Sequence, residues 1–592
     1  MTILRNTTKY SVQITKSHFA TRLHFHGLIF YIANAIIFFY PSMKNFILVL
    51  FFLLSAALYA QTKKSTQPPK LVVGIMVDQM RHEYLFRFDS KYGAGGFKRL
   101  IQDGFMLKNA HYNYAPTVTG PGHASVYTGT TPAIHGIIGN DWYDKNTKKE
   151  VNCVSDPSQQ VVGVAEGNGD VSPWRMLSTT VTDELELFTQ KRAKVIGVSI
   201  KDRAAVLPAG HMADGAYWYD GKSGRFITST YYKTKLPDWV EKFNQQNLPA
   251  KYLSRVWNTL LPIDQYVESG PDDTPYENTL GGKERPVFPY DLKALRKPND
   301  FDLLTTTPFG NDFLTEMAKA AIAGENLGAD DITDFLAISF SSTDALGHAV
   351  GPNAVEIEDM YIRLDKNIED LLKTLDTKIG AGNYTVFLTA DHAVSDVAQY
   401  LTDNRIPSGY FKTAAITASL NDHLQKYFPG KKIVETISGG QVFFDQDVFQ
   451  NDPKTSGVEL LIATQLTINF LLKQEGVANA YSESVLRQSD YGEEGIKGMV
   501  VRGYHPKRSG DVILVLEPGW YSSGRIQGTT HGSPYTYDTH VPVLFYGNGI
   551  KKGSSVRYHS ITDVAPTVSA LLNIKFPSGC TGQPVQELFE GN

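Results

Sequence analysis

Six apolar runs punctuate the chain without alternating polar positions: LVVGIMV (71–77), AKVIGVSI (193–200), DFLAISFS (334–341), YTVFLTA (384–390), DVILVLE (511–517) and HVPVLFYG (540–547). Continuous β-branched runs of this length are the pattern of parallel strands buried on both faces. Between the third and fourth runs, Ile357, Met360, Tyr361, Leu364, Ile368, Leu371, Leu372 and Leu375 recur with helical period. Strand, helix, strand in that order predicts an α/β fold, with a mostly parallel central sheet and helices on both faces. The catalytic domain is expected over 71–592. The segments at about 208–310 and 400–500, richer in Tyr, Trp, Pro and Gly, read as inserted cap segments.

The apolar pattern near the N-terminus means something else. From Met43 the sequence MKNFILVLFFLLSAALYAQTKKS has a short basic start, a long apolar stretch and small residues before Gln61, the layout of a secretory signal peptide. The expectation is an upstream extension over 1–42, a signal peptide over 43–60 and a polar linker over 61–70. That predicts a periplasmic or secreted protein with no stable membrane association after cleavage; a membrane anchor is the alternative. A net charge of −4 gives no basic excess, which argues against a nucleic-acid partner. With only Cys153 and Cys580 in 592 residues, a metal site has to be built from carboxylate and imidazole.

The ends of the runs carry the chemistry. Asp78 follows the first, Lys201-Asp202-Arg203 the second, Asp344 and His348 the third, and Asp391-His392 the fourth. In open α/β sheets, ligands collect outside the carboxyl ends of the strands. Singly, an Asp after a strand is usually a turn former or helix cap, and His531 in GTTHGSPY is more often a loop histidine. Together they supply three carboxylates and three imidazoles, a set that suits two divalent ions of the zinc type. Such a pair is a clamp for phosphoryl displacement. PTVTGPGH offers two hydroxyls, Thr117 and Thr119, just before a helix whose first turn tolerates proline and whose N-terminus favours an oxyanion. Either one could be the nucleophile, since metal coordination activates a hydroxyl.

The stretch PTVTGPGHASVYTG…HGIIGND, with Asp78 upstream and Asp344/His348, Asp391/His392 and His531 downstream, resembles the alkaline phosphatase superfamily. The likeness runs over about 69–590 and is to the threonine-nucleophile, phosphate-irrepressible bacterial branch, related to nucleotide pyrophosphatase/phosphodiesterases. The resemblance implies Thr119 as nucleophile and shared metal ligand. It places one zinc on Asp344, His348 and His531, and a second on Asp78, Asp391 and His392. It marks Asn140, Lys201 and Arg203 as the grip on the phosphoryl group, where Arg offers a fork and Lys a point charge to a dianionic monoester. If the strand continues to its edge, positions 201 and 203 point the same way. The expected activity is hydrolysis of small-molecule phosphate monoesters by a monomer through a phosphothreonine. A phosphodiesterase with the same metals is the alternative, and a degenerate, anchored binding protein the non-enzymatic one.

Overall fold

The computed structural model describes residues 67–449, 456–524 and 526–589. The extension, the signal peptide and most of the linker expected from sequence lie outside them. The last linker positions already belong to the fold. Pro69 O accepts a hydrogen bond from Thr333 Oγ1 (2.6 Å), and Lys70 N donates to Asn383 O (2.7 Å).

Ten strands make the central sheet: β1 (Leu71–Val77), β2 (Phe105–Leu107), β3 (Val161–Val162), β4 (Val195–Ser199), β5 (Gly215–Asp220), β6 (Arg225–Ser229), β7 (Asp334–Phe340), β8 (Tyr384–Thr389), β9 (Val543–Gly547) and β10 (Gly553–Ser555). Their spatial order is β10-β2-β9-β8-β1-β7-β4-β5-β6-β3. The five from β8 to β5 are mutually parallel, with β1 and β7 in register from Leu71↔Asp334 to Val77↔Phe340. Every residue of β1, β4, β7 and β8 is buried, as the unbroken apolar runs require.

Three expectations need correction. The run 540–547 supplies β9, which is antiparallel to β8; an apolar run records burial and carries no direction. The run 511–517 supplies Val512–Leu516, which is not in the central sheet. It pairs antiparallel with Gln441–Phe444 and Val477–Ser482 in a separate four-stranded cap sheet, where two of its five residues are only half-buried. The segment 208–310 is not wholly inserted either, because β5 and β6 extend the central sheet.

Four helices position the site: α1 (Thr119–Thr128), α2 (Asp202–Ala209), α3 (Ser342–Val350) and α4 (Val355–Leu375). All ten residues of α1 are buried, and Pro121 sits in its first turn. It lies close on the sheet because β1 carries Gly74 in mid-strand: a Cβ there would stand 2.3 Å from Tyr127 Oη. The predicted apolar stripe of α4 is its buried face. Its first turn buries Glu356 and Glu358, and Asp359 follows; the three accept hydrogen bonds from the hydroxyls of Tyr290, Ser269 and Tyr266. The positive end of the helix dipole favours carboxylates there, and those hydroxyls tie the segment 266–290 down beside the sheet.

Candidate metal and phosphoryl site

Each ligand expected from sequence stands just beyond the carboxyl end of a parallel strand, or on a loop folded over that edge. Asp78 follows β1. Asp344 and His348 lie one turn apart on α3, which starts where β7 stops. Asp391 and His392 follow β8 after one residue, and His531 lies on the loop before β9. The six residues form two groups, Asp344/His348/His531 and Asp78/Asp391/His392, with the ligand atoms of each within 4.8 Å of one another. In the first, His348 Nε2 is 3.2 Å from both Asp344 Oδ1 and His531 Nε2. In the second, His392 Nε2 is 3.5 Å from Asp78 Oδ1 and 3.6 Å from Asp391 Oδ2. The His392 and His531 rings stack across the two groups, 3.4 Å between centroids.

The donor set fits cations. All three imidazoles spend Nδ1 on a backbone carbonyl: His348 on Thr529 (2.8 Å), His392 on Ala393 (2.9 Å) and His531 on Thr117 (2.8 Å). That fixes the tautomer and leaves Nε2 as the free lone pair, the usual arrangement of a ligating histidine. Asp78 Oδ1, Asp391 Oδ2 and His392 Nε2 are buried with no hydrogen-bond partner among the described residues, a costly state unless a cation answers them. Burial and the neighbouring Asp78 push the Asp391 carboxyl well above the usual range. Burial lowers the His392 imidazole to about 4. Against the cost of burial, His348, Lys201 and His531 hold Asp344 well below the carboxylate range.

The phosphoryl-side residues surround these groups. The Lys201 ammonium bridges them, 2.7 Å from Asp78 Oδ2 and 2.5 Å from Asp344 Oδ2. β4 ends at Ser199 and α2 begins at Asp202, so Lys201 is the N-cap and Arg203 lies in the first helical turn. The alternation expected of an extended strand is therefore not what sets their directions. Arg203 Nε is buried and unpartnered, an N–H left open to an anion. Asn140 Oδ1 accepts from the Gly120 amide at 2.6 Å, which leaves the Asn140 NH2 as its remaining donor. Thr119 is the first residue of α1 and is buried. Thr117 is committed elsewhere: its hydroxyl donates to Ser533 O (2.9 Å) and its carbonyl accepts from His531.

Two further residues bear on the ligands. Gln79, in the left-handed region at φ 67°, donates its amide N–H to Asp391 Oδ1 (3.2 Å) and its side-chain Nε2 to Asp344 Oδ1 (2.5 Å), linking one carboxylate of each group. A glutamine after an aspartate gives no signal in sequence. His123 bonds Thr119 O (2.9 Å) and Ser339 Oγ (2.8 Å) and stands 3.4 Å from Asp391 Oδ2. Gly122 lets α1 press on Asp391, since a Cβ there would fall 2.2 Å from its carbonyl oxygen. His540 is in neither group; it stacks between His82 and His111 at 4.2 and 4.5 Å. Cys153 and Cys580 are both free.

Two candidate ligand groups stand at the carboxyl edge of an α/β sheet, with a buried threonine, a lysine and an arginine beside them, an arrangement that suits phosphoryl transfer. Residues 72–540 match the family of type I phosphodiesterases / nucleotide pyrophosphatases, and the chain belongs to it. Within that family it is 46% identical to alkaline phosphatase PafA of Elizabethkingia meningoseptica over 535 residues, 90% of this chain and 97% of that one. It is 46% identical to alkaline phosphatase PhoV of Synechococcus elongatus over 522 residues, 88% of this chain and 93% of that one. It is also 44% identical to a protein of Myroides odoratus named a calcium-transporting ATPase, over 88% of this chain and 95% of that one. The crystal structure of PafA matches with a TM-score of 0.84 at 46% identity, covering 88% of this chain and 99% of that one. A second PafA structure carries substitutions of a threonine, an asparagine, a lysine and an arginine, the first two 21 positions apart and the last two 2 apart.

Proposed function

We propose that this chain is an exported, zinc-dependent phosphomonoesterase of the alkaline phosphatase type, working through a phosphothreonine on Thr119. The observation that carries the reading is the pair of ligand groups beside the start of α1, bridged by Lys201. Thr119 and Asn140 are 21 positions apart and Lys201 and Arg203 are 2 apart. These are the residue types and spacings substituted together in PafA.

Zinc on Asp344/His348/His531 and on Asp78/Asp391/His392 would supply Lewis-acid polarisation of the phosphoryl group and acidify the threonine hydroxyl. Thr119 Oγ1 attacks phosphorus opposite the leaving oxygen, the ester P–O bond breaks, and the alcohol departs with a proton. Water then cleaves the phosphothreonine and restores the hydroxyl. Asn140, Lys201 and Arg203 hold the equatorial oxygens, where charge builds up and electrostatic stabilisation contributes most. The choice of Thr119 over Thr117 is supported by the hydroxyl of Thr117 being engaged with Ser533. The Lys/Arg pair favours a dianionic monoester over a monoanionic diester.

The family name favours a second reading, a phosphodiesterase. Metal analysis and a panel of p-nitrophenyl phosphate, bis-p-nitrophenyl phosphate and ATP on one preparation separate them. Two zinc ions per chain and a higher kcat/KM for the monoester are expected; a diester preference would overturn the monoesterase reading. For export, the mature N-terminus by mass spectrometry is expected near Gln61, and the purified chain should sediment as a monomer. Among the described residues no helix is long and apolar enough to cross a membrane.

A further inference from the structure

A cleft of about 580 Å³ opens beside the site, between the catalytic core and the cap sheet. Its inner end shares Val118, Asn140 and His531 with the phosphoryl site, so it begins where the ester oxygen would leave. Its walls are apolar and aromatic: Ile138 and Trp142 on the core side face Phe411, Ile513, Trp520 and Tyr521 from the cap. The charges on the lining have one sign. Asp141, Glu150 and Asp538 are present, and among the described residues no lysine or arginine lines the cleft. Asp538 is buried, with Oδ2 accepting from the Gly532 and Ser533 amides. Asp141 and Glu150 are exposed on the hairpin of Asp141–Asp144 and Lys149–Asn152. Glu150 reaches across the cleft, accepting from Ser438 Oγ of the cap at 2.9 Å.

The two ends thus select opposite things. The inner end collects cations and donors for a dianion; the outer offers flat apolar surface under a negative rim. We propose that this cleft receives the leaving group and selects neutral, ring-bearing alcohols, aryl or nucleoside, against those that carry their own carboxylate or phosphate. Rings gain by packing on the aromatic walls, and a second anion is repelled by the exposed carboxylates of Asp141 and Glu150 in a lining that holds no lysine or arginine among the described residues. The inference rests on the phosphomonoesterase reading, and the test separates the two.

The test compares kcat/KM of the metal-loaded enzyme for phenyl phosphate and 4-carboxyphenyl phosphate at low ionic strength. The leaving groups differ by one carboxylate remote from the reacting oxygen. Phenyl phosphate should be favoured by about fivefold, from two repulsive charges in a wet cleft. Raising the salt should shrink the ratio. Glu150→Lys should cut it to about a third or less, the effect of reversing one such charge. Equal kcat/KM for the two substrates, or a ratio indifferent to both salt and Glu150→Lys, would overturn the inference. Hydrolysis of neither would overturn the phosphomonoesterase reading itself.

Discussion

The two ligand groups use the same chemistry in different surroundings. Asp78, Asp391 and His392 are wholly buried, and three of their atoms have no hydrogen-bond partner among the described residues. In the other group the His348 side chain is 37% exposed; Lys201 and Gln79 touch both groups, reaching Asp344 as well as Asp78 and Asp391. The buried group is therefore unsatisfied without a cation, and ion binding there couples to the stability of the whole sheet. The open group is the one with access to water. With one carboxylate and two imidazoles against two carboxylates and one imidazole, the two groups should hold ions differently, the buried one more tightly.

Thr119→Ala should cost the most activity and disturb this contrast least: kcat falls by about 10⁴-fold or more, while metal analysis still finds both groups filled. Loss of metal in that variant would mean that the hydroxyl and the ligands are not separable. Asp391→Asn tests the buried group. Activity and one metal should be lost, and the ion-free protein should melt higher than ion-free wild type by about 2 °C, because one of two repelling buried carboxylates has gone. A lower ion-free melting temperature would break the comparison. His348→Ala should leave the ion-free melting temperature within about 1 °C, while chelator titration shows the open group emptying first. Gln79→Ala removes a link between the groups rather than a ligand, so metal affinity should fall by about 10- to 100-fold, measured by competition with a chromophoric chelator.

The smallest effect lies outside the site. Burial, then the neighbouring His540, lowers His82 and His111 to about 4 each. An imidazole neutral in the fold and protonated in the unfolded chain stabilises fully above about pH 6.5. That contribution is lost as the pH falls towards 4. The melting temperature should drop over that window, and His540→Gln should flatten the drop; an unchanged slope would remove the stack from the account.

The candidate ligands Asp78, Asp344, Asp391 and His392 were readable in sequence because each lies just past a run whose burial is dictated by its own composition; His531, in GTTHGSPY, follows none. Asp78 needs only β1, and Asp391-His392 only β8. Lys201 and Arg203 were found for the same reason, but not their geometry: two residues separate β4 from α2, and nothing in SIKDR marks the change from extended to helical. Gln79 was out of reach because its importance lies in Asp344, 265 positions away. The cap sheet was illegible for a related reason. Val512–Leu516 has the composition of a central strand, and only its distant partners, Gln441–Phe444 and Val477–Ser482, place it elsewhere. Direction was lost with β9, since a hydrophobic run reads the same in either sense.

The missing side chain at Gly122 has a consequence for mutational tolerance. With α1 pressed onto the Asp391 backbone, position 122 accepts hydrogen and rejects even a methyl group, although it is neither a ligand nor a nucleophile. A library randomised there should return glycine alone among active clones, as sharply as one randomised at Asp391. Intolerance to substitution would then trace a steric seam running from α1 to the segment just after β8, in which the indispensable feature is a volume kept empty.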